Sequence, residues 1–512
     1  MRLAEFARRP SSVRLRPDGL LGTAEVRELI ENLWRQLAAV SDLPGKAVAV
    51  QTRDPFCATL ALVALWALGG VGVPVDPRWP AHRREQVRRK ADVAAELTFD
   101  EAARSARAII RPEYQGSLFP GGAYILFTSG SSGDPKGVLV GAEALECRLS
   151  DLQAMLTPRS GGSIAVITTP TFDISLLEML LPFVSDLTGW YPEASVRDHV
   201  PALAKSLAEE RPTVIQGTPT LFSVLTAAGW RPPAGTDLWC GGEALPAPLA
   251  TRLAEGLTEG LTEGLTEGSG RVWNLYGPTE ATIWATAWPV TEQVREWKVA
   301  PIGVPLGSTQ VRLEPFARPA EHGRPGERGR PGERGRPGER GPGGEHGPAA
   351  SELWLAGPGL ATEYVREPER TARSFPVVDG RRWYRTGDLC AADDSGVLHF
   401  LGRRDNQVKI RGFRVELEEV EGEIARMPGV AQAAVVPQKR EGVVVRLIAV
   451  VVARQMEAMA VRQWCRDNLP AYMCPAKVIV TDELPRLASG KVDRRELAGL
   501  AEGGPGPGPA GG

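Results

Sequence analysis

Apolar runs of strand length alternate with helix-length patterns along the chain up to about residue 400. The runs at 47–50, 123–127 and 163–167 predict buried strands, and the pattern at 196–209 predicts a helix. Strands that alternate with helices are typical of a layered α/β fold. The pattern therefore predicts a large α/β core.

A second pattern begins near residue 402, where shorter elements follow one another within about a hundred residues. Strands are predicted at 407–411, 431–436 and 443–451, and helices at 416–427 and 456–468. A segment of this length can fold around a core of its own. We therefore predict an N-terminal core domain at 1–401 and a smaller C-terminal α+β domain at 402–500.

Three stretches have low complexity. Residues 255–268 repeat EGLT with a glycine at every fourth position, and the stretch 323–347 contains GRPGER repeats with a glycine at every third position. Both are too short for a fibrous structure, and loops tolerate such expansions at small entropic cost. We interpret them as disordered surface insertions. The Gly/Pro-rich tail at 501–512 is also expected to be disordered.

One apolar segment at 56–75 approaches the length of a membrane span. Gly69 and Gly70 interrupt it, so the pattern favours a buried helix followed by a short strand over a membrane helix. The N-terminus lacks the apolar region of a secretory signal. We therefore expect a cytoplasmic protein without membrane contact.

Composition excludes several other classes of function. A formal net charge of -2 generates no field that would gather nucleic acid. The six cysteines lie far apart without a CxxC pair, so neither a zinc knuckle nor a disulfide framework is indicated. A reducing cytoplasm fits this cysteine usage.

The strongest local motif is AYILFTSGSSGDPKGV at 123–138. An apolar strand leads into glycines and hydroxyls, Thr128 to Gly133, and then to Lys136. Such a loop can direct backbone N–H groups, hydroxyls and an ammonium group towards phosphate oxygens. Gly137 follows the lysine where a Walker A loop has serine or threonine, which counts against a P-loop kinase.

With this loop the chain resembles the adenylate-forming superfamily, and within it the amino-acid adenylation domains of nonribosomal peptide synthetases. The matching segments occur in the family's order and cover nearly the whole chain. They are GVGVPVDPRWP (70–80), the loop at 123–138, FDISLLEM (172–179), NLYGPTEAT (274–282), GPGLATEY (357–364), YRTGDL (384–389), GRRDNQVKIRGFRVELEEVE (402–421) and LPRLASGKVDR (484–494).

The resemblance implies an α/β core with a small β subdomain, a mobile C-terminal domain, and ATP and Mg²⁺ as cofactors. Glu280 would give a carboxylate oxygen to Mg²⁺, and Asp388 would accept hydrogen bonds from the ribose hydroxyls. The nucleotide contacts that it implies are Thr128, Ser129, Gly130, Ser131, Ser132, Gly133, Lys136, Gly242, Glu243, Ala244, Asn274, Tyr276, Gly277, Thr279, Asp388 and Arg403.

Lys491 and Lys136 are the catalytic candidates that the resemblance implies. Lys491 would bridge the substrate carboxylate and the α-phosphate, offsetting the charge that accumulates there. Asp405 would be a hinge, and Lys409 and Gly412 would line a channel for the entering thiol. Outside this family context, the alternatives are a solvated lysine, a surface glutamate at Glu280, a structural turn at Asp388 and a β-bulge at Gly412.

The family's specificity positions map to Asp173, Ile174, Leu177, Gln216, Trp239, Gly241, Leu275, Ile283 and Trp284, with Lys491 completing the set. A buried carboxylate at Asp173 needs a cationic partner, and an amino acid brings an α-ammonium group. The other side chains are bulky, so the pocket should be small. Glycine is therefore the leading substrate and alanine the next. Trp239 departs from the family pattern, in which leucine is usual.

The sequence contains no carrier serine after residue 500 and no condensation domain, so the expected partner is a phosphopantetheinylated carrier protein acting in trans, unless the chain is a fragment of a larger synthetase. An MbtH-like helper protein is a further candidate. The alternatives are an acyl-CoA synthetase of the same superfamily, against which Asp173 argues, and a catalytically silent binding module. A silent binding module is disfavoured by the joint presence of Lys136, Glu280, Asp388 and Lys491.

Overall fold

The protein is described here from a computed structural model. It covers residues 3–8, 13–16, 19–38, 40, 42–100, 105–111, 113, 116–130, 134–155, 162–258, 270–315, 350–440, 443–454, 456–487 and 492–501. The predicted insertion at 323–347 and residues 502–512 of the predicted tail lie outside these described residues.

The strands are β1 (Val13–Arg16), β2 (Gly19–Leu21), β3 (Ala47–Gln51), β4 (Val71–Val75), β5 (Ala95–Asp100), β6 (Ser105–Ile110), β7 (Gly122–Thr128), β8 (Lys136–Gly141), β9 (Ser163–Ala165), β10 (Thr188–Trp190), β11 (Val214–Gly217), β12 (Asp237–Gly241), β13 (Val272–Tyr276), β14 (Thr286–Pro289), β15 (Val304–Pro305), β16 (Gln310–Pro315), β17 (Ser351–Ala356), β18 (Glu363–Tyr364), β19 (Val377–Val378), β20 (Arg381–Ala392), β21 (Leu398–Arg403), β22 (Val408–Ile410), β23 (Phe413–Val415), β24 (Val430–Arg440), β25 (Val443–Ala453) and β26 (Lys477–Thr481).

The helices are α1 (Thr23–Leu37), α2 (Pro55–Ala67), α3 (Ala81–Ala91), α4 (Ala142–Gln153), α5 (Ile174–Val184), α6 (Ala194–Arg197), α7 (Val200–Glu210), α8 (Pro219–Ala227), α9 (Ala247–Thr258), α10 (Pro368–Ser374), α11 (Leu417–Ala425), α12 (Ala458–Asn468) and α13 (Arg494–Ala501). Short 3-10 helices occupy Leu3–Arg8, Thr279–Ala281, Glu292–Glu296 and Ala471–Met473.

Two large sheets with parallel centres form the N-terminal part. One has the order β18-β8-β7-β4-β3-β5-β6 and the other the order β15-β14-β13-β12-β11-β9-β10-β1-β2. One hydrophobic cluster joins both sheets to α2 and α5. Helix α2 is buried along nearly its whole length, which explains why its sequence is apolar on every side.

The segment at 56–75 folds as predicted, with α2 followed by β4. Gly69 adopts φ +73°, and the Gly70 N–H donates to the Leu65 carbonyl, so the chain reverses directly after the helix. Within the described ranges, no helix has both the length and the apolar character that crossing a bilayer requires.

The single helix predicted at 196–209 is wrong. The chain forms two helices there, α6 and α7, because Asp198 ends the first and His199 caps the second. Pro201 stands in the first turn of α7, where a missing N–H group costs no hydrogen bond. The helical period continues across the break, so hydrophobic spacing alone did not reveal it.

The insertion predicted at 255–268 begins inside α9, and that part of the prediction is wrong. Leu257 is buried in the core cluster beside α9, so the first four residues of the repeat are structured. The other repeat residues, 259–268, lie outside the described residues.

Two smaller β units complete the chain. Strands β16, β17, β19, β20 and β21 form a five-stranded antiparallel sheet, in agreement with the expected β subdomain. Beyond it lie the β22–β23 hairpin, the sheet β24-β25-β26 and helices α11 to α13. Helices α11 and α12 pack in one hydrophobic cluster with β24 and β25, and Leu497 of α13 packs in a second cluster with the same two strands. A large N-terminal α/β part and a smaller C-terminal part are confirmed.

Candidate active site

A cleft of about 570 Å³ lies between the N-terminal and C-terminal parts. The ends of β12 and β13 form one wall, with Gly242, Glu243, Ala244 and Tyr276. Asp388, Arg403, Asp405 and Lys409 also line the cleft. Ligands of α/β proteins bind beyond the carboxyl ends of parallel strands, and this volume is typical of a small-molecule site.

Asp388 is the polar centre of this cleft. Its Oδ2 accepts the Tyr276 hydroxyl at 2.5 Å, and its Oδ1 accepts Arg403 Nη1 at 2.6 Å. Arg403 also donates to both carboxylate oxygens of Asp405, at 2.7 and 2.8 Å. Each Asp388 oxygen can accept one more hydrogen bond, so the carboxylate is able to bind two hydroxyls. These four residues, predicted separately from the sequence, lie together.

The predicted adenine-flanking residues follow β12. Gly242 adopts φ +85°, which turns the backbone of Gly242 to Ala244 along the cleft wall. Asn274 also lines the cleft, but its Nδ2 donates to the Pro301 carbonyl at 2.7 Å. This bond holds the side chain against the protein. The amide nitrogen of Asn274 therefore has a structural partner.

The phosphate loop connects two antiparallel strands, in which Thr128 pairs with Lys136. Within the described residues the buried Thr128 Oγ1 has no hydrogen-bond partner, and such a buried hydroxyl suits an incoming phosphate oxygen. Lys136 is also buried, and burial, together with nearby Arg414, lowers its pKa to about 8. Ser131, Ser132 and Gly133 lie outside the described residues.

Glu280 is fully buried beside Lys136, within the 3-10 helix of the YGPTE motif. Arg414 Nη1 lies 3.0 and 2.9 Å from its two oxygens, and the Tyr364 hydroxyl donates at 2.7 Å. Burial opposes ionisation, but Arg414 and Lys136 outweigh it and hold the pKa of Glu280 well below its usual range. The group is a carboxylate under all ordinary conditions.

The donor set fits Mg²⁺ held jointly with phosphates. Within the described residues, no cluster of three or more His, Cys, Asp or Glu side chains could enclose a metal ion. Mg²⁺ is commonly bound by one or two carboxylates together with water and substrate phosphates, and Glu280 is an ionised carboxylate close to the phosphate loop. Arg414 holds that position in the present arrangement.

Asp173 immediately precedes α5, and its carboxylate is buried. Thr279 Oγ1 donates to Asp173 Oδ2 at 2.6 Å. Burial raises the pKa of Asp173 to about 6, although the Thr279 hydrogen bond favours ionisation. A small cavity of about 40 Å³ lies against it, bordered also by Thr128, Phe172 and Arg414. The carboxylate therefore faces a confined space near the phosphate loop.

The remaining specificity positions are buried, and several of them contact one another. Trp239 and Gly241 share one face of β12, and Gly241 pairs with Leu275 of β13. The indole of Trp284 covers Gly241 so closely that a Cβ there would lie 2.5 Å from its Cη2. The other members of the set, Ile174, Leu177, Gln216 and Ile283, are buried.

Known proteins agree with this geometry. The model of the AMP-binding enzyme family matches residues 121–333, and that of the AMP-binding enzyme C-terminal domain matches residues 419–491. The chain belongs to the AMP-binding enzyme family. The two matches contain the phosphate loop, Asp173 and Glu280 on one side, and Glu419 with Lys491 on the other.

Relatives of this AMP-binding enzyme include much longer proteins. A dimodular nonribosomal peptide synthase of Bacillus subtilis is 33% identical over 465 residues, covering 85% of this chain and 18% of the relative. The phosphinothricin tripeptide synthetase PhsC of Streptomyces viridochromogenes is 33% identical over 513 residues, covering 94% and 43%. The chain thus spans less than half the length of these relatives.

Two solved structures share the fold. A four-domain nonribosomal peptide synthetase bound to AMP and glycine has a TM-score of 0.62 and 27% identity, covering 96% of this chain and 36% of that one. The Vibrio cholerae adenylation domain AlmE, in complex with glycyl-adenosine-5'-phosphate, has a TM-score of 0.77 and 21% identity, covering 98% and 97%.

In the AMP-binding enzyme described here, the β22–β23 hairpin enters the site. The Gly412 N–H donates to Glu243 Oε1 at 2.9 Å, and a Cβ at Gly412 would lie 2.7 Å from the Phe172 ring. Phe413 stacks between Phe172 and Tyr472, with centroid distances of 5.4 and 4.1 Å. The predicted thiol-channel position is thus a point of close contact between the two parts.

Lys409 of the same hairpin is buried, with its ammonium 5.8 Å from the centre of the Tyr276 ring. Burial lowers the pKa of Lys409, while Asp388 and Asp173 favour its charged form. Lys491, the principal catalytic candidate, lies outside the described residues, and its assignment stays a prediction.

Sequence reasoning missed the groups that the C-terminal part adds to the phosphate site. Glu419 Oε2 accepts the Gly130 N–H at 2.9 Å, and its other oxygen pairs with Arg83 at 2.5 Å. Ser129 Oγ donates to the Arg414 carbonyl at 2.8 Å. The sequence signal that could have pointed to Arg414 is that a buried Glu280 needs a positively charged partner. This requirement does not say which arginine provides the charge.

Proposed function

We propose that this chain activates a small amino acid with ATP, glycine in preference to alanine, and then transfers it to the phosphopantetheine thiol of a carrier protein. The observation that carries the proposal is the buried Asp173 carboxylate, held by Thr279 at 2.6 Å beside a small cavity near the phosphate loop. This combination favours a small substrate that carries a positively charged group and reacts with a phosphate of ATP.

The charge of the substrate follows from Asp173. Burial disfavours its ionised form, so ionisation needs a compensating cation in the pocket. The α-ammonium group of an amino acid supplies that charge, whereas a fatty acid or an aryl acid brings none. An amino acid is therefore preferred over the acids that acyl-CoA synthetases use.

The size of the substrate follows from the indole that covers Gly241. At the specificity position that the family resemblance gives it, Trp284 would fill the space into which a substrate side chain projects. Its ring packs against Gly241, and Trp239 of the same strand is fully buried. The 27% identical synthetase bound to AMP and glycine supports the same choice. A pocket distinguishes a single methyl group by about 10- to 200-fold, so slower use of alanine is expected.

In the first half-reaction, a substrate carboxylate oxygen forms a bond to the α-phosphorus of ATP, and the bond from that phosphorus to the bridging oxygen breaks. Pyrophosphate leaves with that electron pair. Asp388 would orient the ribose, and Thr128 and Lys136 would hold phosphate oxygens. Lys491 would offset the charge on the two reacting groups. Glu280 would hold Mg²⁺, whose charge would favour binding of the ATP phosphates.

In the second half-reaction, a thiolate sulfur bonds to the acyl carbon and AMP leaves with the electrons of the broken mixed-anhydride bond. The hairpin carrying Lys409 and Gly412 would border the entering thiol, with Asp405 as the hinge of the C-terminal part. The contacts of this hairpin with Phe172 and Glu243 support its placement beside the acyl group.

ATP–pyrophosphate exchange across the small amino acids tests the first step. Glycine should give the largest signal and alanine a weaker one. Asp173→Asn should reduce the signal for every amino acid by at least about a hundredfold, since a buried ion pair is lost. Asp393→Asn, at an exposed turn, is the matched control. Preference for a large or aromatic substrate would refute the pocket assignment.

Loading assays separate the two possible acceptors. With preformed glycyl-AMP, transfer to a phosphopantetheinylated carrier protein should exceed transfer to free coenzyme A. Coenzyme A as the better acceptor would refute the carrier assignment and favour an acyl-CoA synthetase. Binding assays with an MbtH-like protein address that possible partner separately.

A further inference from the structure

A chain of buried hydrogen bonds runs from Trp284, a predicted specificity residue, into helix α5. Trp284 Nε1 donates to Gln216 Oε1 at 2.9 Å, and Gln216 Nε2 donates to Glu178 Oε1 at 3.0 Å. Gln216 Nε2 also donates to the Ile174 carbonyl at 2.8 Å. Glu178 and Gln216 are fully buried, and Trp284 is 1% exposed. Water does not compete for these bonds.

Glu178 is itself held by four donors. Its Oε2 accepts the Ile167 and Thr168 N–H groups, each at 2.8 Å, and its Oε1 accepts the Thr168 hydroxyl at 2.6 Å in addition to Gln216. Burial raises the pKa of Glu178 to about 7, while its four donors favour the ionised form. The Trp284 N–H can only donate. The Gln216 amide must therefore present its nitrogen to Glu178 and its oxygen to Trp284, and it has no second orientation that satisfies both partners.

Resting on the proposed function, we infer that Glu178 is a positioning residue for substrate selection. It fixes the Gln216 amide, which holds the Trp284 indole over Gly241 and keeps the pocket at the size of glycine. Glu178 borders no part of the substrate cavity near Asp173. Glu178 acts on selection through the side chains of Gln216 and Trp284. It lies on helix α5, which begins directly after Asp173.

Glu178→Gln tests this chain with almost no change in volume. The new amide oxygen can accept the Ile167 and Thr168 N–H groups, but its nitrogen then faces Gln216 Nε2, donor against donor. Gln216 has to turn its amide, which places its nitrogen against the Trp284 N–H and removes that bond. The indole is released from Gly241, and the pocket widens.

The measurement is the ratio of kcat/KM for alanine to kcat/KM for glycine in pyrophosphate exchange. Glu178→Gln should raise this ratio on the order of tenfold, because discrimination of a single methyl group is lost. Trp284→Phe, which keeps a ring but lacks the N–H donor, should raise it similarly. The double variant should match the larger single effect, since both changes break one chain.

Glu96→Gln is the matched control. Glu96 is also fully buried, and it accepts hydrogen bonds from Gln51 and from Arg88 Nη2, the second at 3.0 Å. It lies on β5, which two strands separate from β7 and the phosphate loop. This variant should lower the melting temperature without moving the alanine-to-glycine ratio. The control separates a general loss of stability from a specific change in the pocket.

The inference would be overturned if folded Glu178→Gln left the alanine-to-glycine ratio unchanged. It would also be overturned if the double variant raised the ratio by the product of the two single effects. Trp284→Phe decides the matter if Glu178→Gln does not fold, because an unchanged ratio there has the same meaning. If the wild-type protein exchanges neither glycine nor alanine, the proposed substrate fails separately. A crystal structure of Glu178→Gln then tests the inference alone: Trp284 displaced from Gly241 supports it, and Trp284 in place refutes it.

Discussion

Arg414 Nη1 lies within 3.0 Å of both carboxylate oxygens of Glu280, the residue that sequence resemblance assigns to Mg²⁺. The arginine belongs to the β22–β23 hairpin of the C-terminal part, and the glutamate to the N-terminal part. Arg414 and the Tyr364 hydroxyl both use acceptor positions of this carboxylate. Mg²⁺ bound at Glu280 would therefore compete with Arg414 for the same negative charge.

Arg414→Gln should slow thiol loading more than it slows pyrophosphate exchange. The variant loses the Arg414–Glu280 ion pair, which forms when the β22–β23 hairpin lies in the site. Breaking a buried ion pair destabilises the state that contains it. We expect the loading-to-exchange ratio to fall about tenfold or more. Single-turnover loading from preformed aminoacyl-AMP measures the first rate. Arg295→Gln, at an exposed arginine, is the control, and equal loss of both rates in Arg414→Gln would contradict the prediction.

Amino-acid use should fall in acid with an apparent pKa of about 6. Burial raises the pKa of Asp173 to about 6 in the free protein, and only the ionised form can pair with an ammonium group. Above pH 6 the carboxylate predominates, and kcat/KM should level off until the Lys136 ammonium group begins to lose its proton near pH 8. Below it, kcat/KM for glycine should fall about tenfold per pH unit.

Exchange assays between pH 5 and 8 measure this profile, with KM for ATP as the internal control. Thr279→Val removes the hydrogen bond that favours the ionised form of Asp173, so the midpoint should move to higher pH. A flat profile down to pH 5 would show that another group, or none, binds the ammonium group.

Two glycine-to-alanine substitutions should have opposite effects on stability. A Cβ at Gly241 would lie 2.4 Å from the Leu275 carbonyl oxygen and 2.5 Å from Trp284, so Gly241→Ala should cost about 1–3 kcal/mol. Gly422 in α11 has open space around it, and alanine there should add about 0.5–1 kcal/mol. Chemical denaturation measures both, and equal effects would contradict the packing described for the pocket.

Sequence alone determined the layered α/β class, the separate C-terminal unit, and most single elements, because their periodicity and glycine turns are local properties. Strand β4 follows helix α2 within the apolar segment at 56–75, as predicted. The break between α6 and α7 was missed, since the hydrophobic period runs through it. Motifs such as the phosphate loop and YGPTE likewise indicated nucleotide chemistry from contiguous residues.

Tertiary structure decided which of these residues form ion pairs and hydrogen bonds with one another. Arg414 and Glu280 are separated by 134 positions, and Trp284 and Gln216 by 68. Their contacts depend on the register of β12 and β13 and on the position of the C-terminal part. Hydrophobic periodicity specifies which face of an element is buried, but not which distant polar group meets it there. Ion pairs and hydrogen bonds between residues that are far apart in the sequence are therefore properties of the folded chain.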